Sequence, residues 1–368
     1  MFFVKGNQFC CYSRIIEIIK LYNHVFYTIL DILKQNKNKC SLLYNMFQWL
    51  SYLFVLYNRL SRQQQQQQQQ QPEIIHKTNH TWLWNTHSIY YEHHRQEKQK
   101  QNQKDQTPSL VLIHGFGAST FHWRDNIPAL SKEFDTYAFD LLGFGTSDKP
   151  TDIKYTPDVW QRQTVDFVKK VYHETDSRPV VLVGNSIGGY TAVYASTHPE
   201  IRDMVSAVIL LNPVGVFRGK ESPFVSSWLS WIAQPSIFRW LFHYFQSHVK
   251  TTLTTLYPHH PERVDDALVA SILTPSYDPR AKDVFSNVLH TQLIYKHPYM
   301  EDILRQVKIP LYLIIGKDDP WLIPNIYTDF LENCPTAFGK KVNAGHCPHD
   351  EIPDEVNWLI ISFLTLSL

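Results

Sequence analysis

Three side chains of complementary chemistry occur along the chain in the order Ser186, Asp319, His346. Ser186 lies in Gly184-Asn185-Ser186-Ile187-Gly188, directly after the apolar run "PVVLVG" and before "IGGYTAVYAS", which reads as the start of a helix. A strand, a sharp turn and a helix form the setting in which such a serine is pushed out at the top of a sheet. A serine hydroxyl becomes a useful nucleophile only when a base takes its proton and a carboxylate orients that base. "VNAGHCPHDEIP" offers His346 as the base, and "PLYLIIGKDDPW" offers a carboxylate on a loop that follows a strand. Asp318 rivals Asp319, and His349 rivals His346. We favour Asp319 and His346, expecting His349 to cap a helix or face solvent.

Attack on a carbonyl also needs donors for the oxyanion. "LIHGFGAS" follows a strand expected beside the nucleophile strand, and its glycines let the backbone turn an N–H inward. Phe116 is the expected first donor, and Ile187, next after the serine, the second. Taken singly, each motif could be an ordinary glycine turn. Together, each at the carboxyl end of a strand, they describe one catalytic centre.

The elements that must carry these groups are legible from Pro108 onward. Short apolar runs recur at residues 109–114, 135–140, 179–184, 205–212 and 310–316, with a last one near Lys341 and Val342. Helical patterns such as "DVWQRQTVDFVKKVY" alternate with them. Continuous apolar strands between helices predict a parallel sheet covered on both faces, an α/β architecture. "HSIYYEH" precedes them as a further strand, and the polar stretch 95–108 after it is expected to be an exposed hairpin loop. The alternation breaks between about Lys220 and Gln306, where an aromatic-rich helical stretch is too long for a loop and is expected to cap the sheet's carboxyl edge.

These patterns divide the chain into an extension at 1–62, a linker at 63–79, the first part of the core at 80–219, the cap at 220–306 and the second part of the core at 307–368. In the extension Lys and Arg outnumber the two acids, Glu17 and Asp31. Its apolar run "LLYNMFQWLSYLFVLY" is short for a bilayer span and is interrupted by Asn45, Gln48 and Ser51. A targeting segment or a membrane-surface helix is therefore favoured over a spanning anchor. The glutamine run Gln63 to Gln71 cannot bury enough apolar surface to order itself and reads as a flexible linker.

Composition narrows the partners. A net charge of +1 gives no reason to expect a nucleic-acid partner. Cys10, Cys11, Cys40, Cys334 and Cys347 are odd in number and irregular in spacing, so neither a disulfide framework nor a zinc site is expected. No cofactor or metal motif stands out. With 10 Trp, 20 Tyr and 21 Phe the chain is rich in aromatics. The segment "SPFVSSWLSWIAQPSIFRWLFHYFQ" concentrates them in the cap. Most should pack cap helices onto the core. Trp228, Trp231, Trp240 and Phe245 are the candidates for an apolar substrate site.

Over roughly residues 80 to 368 the chain resembles the α/β-hydrolase superfamily, which implies a mostly parallel eight-stranded sheet flanked by helices, with a helical cap insertion. "HGFGASTFHWRDNIPAL", "FDLLGFGTSDKP", "GNSIGGYTAVYAS", "LLNPVG" and "AGHCPHDEIPDEVN" are similar to strings in plant and cyanobacterial pheophytinase-like hydrolases. The resemblance implies Ser186 as nucleophile, Asp319 as acid, His346 as base, and Phe116 and Ile187 as oxyanion donors. It implies hydrolysis of an ester with a large apolar group, either phytyl on a pigment or a lipid-like chain. It also suits a plastid, with a membrane-associated intracellular place as the alternative. Cofactor-free perhydrolysis, carbon–carbon cleavage of diketones, and ligand binding without turnover use the same scaffold and remain the rival expectations.

Overall fold

The computed structural model describes residues 80–95, 107–172, 178–218, 235–294, 298–322 and 325–367. The extension, the glutamine linker, Trp228 and Trp231 lie outside the described residues. Eight strands form one sheet: β1 (His80–Trp84), β2 (His87–His94), β3 (Ser109–Ile113), β4 (Thr136–Phe139), β5 (Val180–Asn185), β6 (Val205–Leu211), β7 (Leu311–Gly316) and β8 (Ala337–Val342). Their order across the sheet is β1-β2-β4-β3-β5-β6-β7-β8. Strands β3 to β8 run parallel, and β2 joins them antiparallel through β4.

One expectation about connections fails. β2 pairs with β1 and β4, so the link from β2 to β3 crosses to a strand beyond β4 and closes no hairpin. The polar composition of 95–108 marked a connection but carried no information about which strand came next to which.

Alternation along the strands builds two apolar layers. On β3, Val111 and Ile113 face one layer while Leu110 and Leu112 face the other. The first layer is closed by α2 (Pro157–Phe167) and α3 (Ile187–Ser196), which contribute Trp160, Val165, Ala192 and Val193. The second is closed by α1 (Asn126–Leu130) and the C-terminal helix Pro353–Ser367, through Leu130, Val356, Ile360 and Phe363. Strands buried on both faces explain why their sequences run apolar without a break.

Between β6 and β7 lie α4 (Pro235–Ser247), α5 (Val249–Leu256), α6 (Asp266–Ser276), α7 (Ala281–Ile294) and α8 (Met300–Leu304). α8 returns to the main core, where Met300, Ile303 and Leu304 are buried. α9 (Ile326–Asn333) connects β7 to β8, and the short α10 (Pro348–Glu351) precedes the C-terminal helix. Among the described residues no helix is long and apolar enough to cross a membrane.

Candidate active site

Ser186 stands between β5 and α3 with φ 56° and ψ −121°, a conformation that costs energy for any residue with a side chain. Its surroundings impose it. A Cβ at Gly184 would lie 2.2 Å from the Gly188 carbonyl oxygen, and one at Gly188 would lie 2.2 Å from that of Ile113. Only hydrogen at both positions lets helix, turn and β3 close this tightly. The Ser186 N–H donates to the Leu211 carbonyl at 3.1 Å, and its own carbonyl accepts from Val214 and Tyr190. The serine is therefore held by its backbone.

His346 and Asp319 form a buried pair, Nδ1 to Oδ2, at 2.6 Å, with side chains 4% and 1% exposed. The same Asp319 oxygen accepts from Asn212 Nδ2 at 2.6 Å, and Oδ1 accepts from the Trp321 N–H at 2.8 Å. Burial pushes the Asp319 carboxyl up, but the hydrogen bonds from His346, Asn212 and Trp321 outweigh it and hold the group below the usual carboxylate range. An ionised Asp319 fixes the proton of His346 on Nδ1 and leaves Nε2 as the basic nitrogen. Asp318 instead pairs with His259 at the surface.

His349 corrects an expectation. It is fully buried against Trp123 and His122 rather than at the surface, and neither ring nitrogen has a hydrogen-bond partner among the described residues. Burial keeps it well below the usual histidine range, and so neutral. α10 starts as its residue types suggested, but its histidine is covered by a tryptophan far away in sequence.

Phe116 lies on the loop after β3, and its ring meets Phe144 and Phe285. His114 orients this loop. Its Nδ1–H donates to the Gly115 carbonyl at 2.7 Å while Nε2 accepts from the Leu141 N–H at 3.0 Å. Because a peptide is planar, pinning the Gly115 oxygen fixes the direction of the Phe116 N–H. Burial lowers His114 to about 4, so it stays neutral and holds that tautomer at pH 7. Ile187 opens α3, where first-turn N–H groups have no acceptor within the helix.

Ser186, His346 and Phe116 line one cavity of about 220 Å³. Phe245 lines it too, with Phe242 and Phe285 beside it. Trp240 does not. It is 37% exposed on α4 and stacks on Tyr244. Two asparagines that the sequence did not single out tie the loops together. Asn185 Nδ2 donates to the carbonyls of Leu211 and His346, and Asn212 reaches both Asp319 and the Gly345 carbonyl. Their only signal was position, Asn185 at the end of β5 and Asn212 directly after β6. Among the described residues, no group of three or more His, Cys, Asp or Glu could hold a metal ion.

A family model described as alpha/beta hydrolase fold matches residues 108–353. The chain is 26% identical over 312 residues to the chloroplastic pheophytinase of Arabidopsis thaliana, covering 69% of this chain and 60% of that protein. It is 28% identical over 265 residues to the 2-hydroxy-6-oxo-6-(2'-aminophenyl)hexa-2,4-dienoic acid hydrolase of Metapseudomonas resinovorans, covering 70% of this chain and 83% of that one. Among solved structures, a serine hydrolase involved in carbazole degradation superposes with a TM-score of 0.60 at 24% identity, covering 78% of this chain and 99% of that one. The chain thus spans about three fifths of the pheophytinase it matches.

Proposed function

This chain belongs to the α/β-hydrolase fold family and is similar to pheophytinase-like enzymes, and on that premise we propose that it is a serine hydrolase of carboxylic esters with an apolar, lipid-like acyl group. The observation that carries the reading is the buried His346–Asp319 pair opening on the cavity that Ser186 lines. In the reaction, Ser186 Oγ adds to the ester carbonyl while His346 Nε2 takes its proton. The Phe116 and Ile187 N–H groups receive the oxyanion. His346 then returns the proton to the departing alcohol, leaving an acyl-Ser186, and a water deprotonated by His346 releases the acid. Asp319 stays ionised throughout and stabilises the imidazolium.

Size supports the substrate class. A chamber of about 220 Å³ exceeds the ~150 Å³ that holds a benzene and falls below the ~300–1,000 Å³ of sites for drug-sized ligands. A medium-length acyl chain suits it better than a tetrapyrrole acid, so a phytyl pigment ester is the rival substrate. Carbon–carbon cleavage is the second reading, favoured by the likeness to the dienoic acid hydrolase. We assign residues 1–62 to targeting or membrane-surface binding, in a plastid or at another intracellular membrane. A fluorescent fusion of residues 1–79 tests this by where it accumulates.

The test of function is turnover of p-nitrophenyl esters of increasing acyl length, a phytyl pigment ester and a dienoic diketone, by the chain and by Ser186→Ala. Ester hydrolysis lost in the variant, peaking at medium acyl length, is the expected result. Turnover of the diketone alone would replace ester hydrolysis with carbon–carbon cleavage. Ligand binding with no turnover would make the chain a binding protein.

A further inference from the structure

Trp321 combines features that a scattered surface aromatic does not. Its indole is 56% exposed. Lone exposed aromatics need no explanation by themselves. Trp321, however, also lines the cavity, which the other large exposed hydrophobics of the described residues, such as Leu83, Tyr277 and Trp358, do not. Its ring centroid lies 5.0 Å from that of His346. Its backbone N–H is bound to Asp319, so the residue is fixed to the catalytic acid while its side chain rests against the catalytic base.

We propose that Trp321 is a specificity-determining residue, a platform for the alcohol half of the ester at the rim of the site; this rests on the ester-hydrolase reading above. The direction follows from proton transfer. His346 must come within hydrogen-bond reach of the leaving-group oxygen to protonate it. The alcohol therefore lies on the His346 side of the scissile bond, where the indole is the adjoining apolar surface. The acyl half, on the other side of that bond, occupies the chamber under Phe242, Phe245 and Phe285. A chamber of about 220 Å³ has little room for a second long chain, whereas the half-exposed Trp321 at its rim sets no limit on length. The site then selects the acid by volume and the alcohol by apolar contact. Flat aromatic or extended aliphatic alcohols are the class that gains from such a surface.

The test uses the full chain and butanoate esters of methanol, hexanol, dodecanol and 2-naphthylmethanol, alcohols of similar leaving ability, with kcat/KM read from acid release. For the wild type, kcat/KM should rise from the methyl to the hexyl and naphthylmethyl esters. In Trp321→Ala the naphthylmethyl and dodecyl esters should fall about tenfold while the methyl ester changes less than about twofold. Trp321→Phe should recover most of the preference. An equal loss on all four esters, or none on any, overturns the platform and leaves Trp321 a support for Asp319 or a bystander. Failure of the wild type on every ester, with Ser186 unlabelled by a fluorophosphonate, sinks the ester reading itself and the platform with it.

Discussion

The turn at Ser186 and the aromatic chamber beside it are built on different principles. At the elbow, backbone meets backbone. The positions of Gly184 and Gly188 leave no space even for a methyl group, and Asn185 ties the turn to the His346 loop. In the cap, side chain meets side chain. Phe285 contacts the rings of Phe116, Phe242 and Phe245 at centroid distances of 5.4 to 6.0 Å. Backbone contact fixes positions to fractions of an ångström and tolerates no substitution, whereas packed rings can repack around a new shape. On the proposed mechanism, precision lies where bonds would be made and broken, and adaptability where a chain would be accommodated.

Substitutions in the two regions should separate these principles. The largest effect is expected from Asp319→Asn, which leaves the shape but removes the charge that fixes the His346 tautomer. Its kcat should fall by about 10⁴, the size seen when a triad carboxylate becomes an amide. A loss under tenfold would mean that His346 is oriented by something else. Gly188→Ala comes next. Its methyl would meet the Ile113 carbonyl at 2.2 Å, and urea unfolding should show a loss of about 3 kcal/mol with activity falling in step. Unchanged stability would erase the contrast with the cap. Phe285→Ala should be milder and selective, lowering kcat/KM about tenfold for an eight-carbon acyl ester while sparing the acetate. A uniform loss would make Phe285 part of the catalytic framework instead.

How far each region could be read from sequence follows the same division. Gly-x-Ser-x-Gly is legible because the constraint is local, since a sharp turn demands small residues within two positions of the serine. The sheet is legible because strands buried on both faces must be apolar throughout. α4 was harder. Trp240 and Phe245 both stand in an aromatic-dense segment, and their residue types alone made both candidates for a substrate site. Phe242 and Phe245 line the chamber and Trp240 lies outside its lining, a choice made by tertiary packing. His349 was misread for a related reason. Its neighbours Pro348, Asp350 and Glu351 resemble an exposed helix start, yet Trp123 and His122 cover it.

The smallest expected effect concerns that histidine and pH. His114 and His122, both lowered to about 4 by burial, and His349, held well below the usual histidine range by burial, are neutral in the fold and take up protons more readily once unfolded. Such groups contribute stability that is present above their unfolded value of about 6.5 and is lost as pH falls toward their folded values. The chain should therefore be less stable to urea at pH 5 than at pH 7. His349→Leu removes one of these groups along with two unpartnered nitrogens, and should change stability at pH 7 by less than about 1 kcal/mol while making the loss at pH 5 smaller. A steeper acid dependence in His349→Leu would contradict the neutral, unpartnered assignment.

On the proposed mechanism, Ser186 carries the acyl group between two half-reactions. The most direct measurement is intact and peptide mass spectrometry of the enzyme quenched in acid during turnover of p-nitrophenyl octanoate. An added octanoyl mass is expected on the peptide containing Ser186, absent in Ser186→Ala. Turnover that persists in Ser186→Ala, with no acyl mass on that peptide, would contradict it.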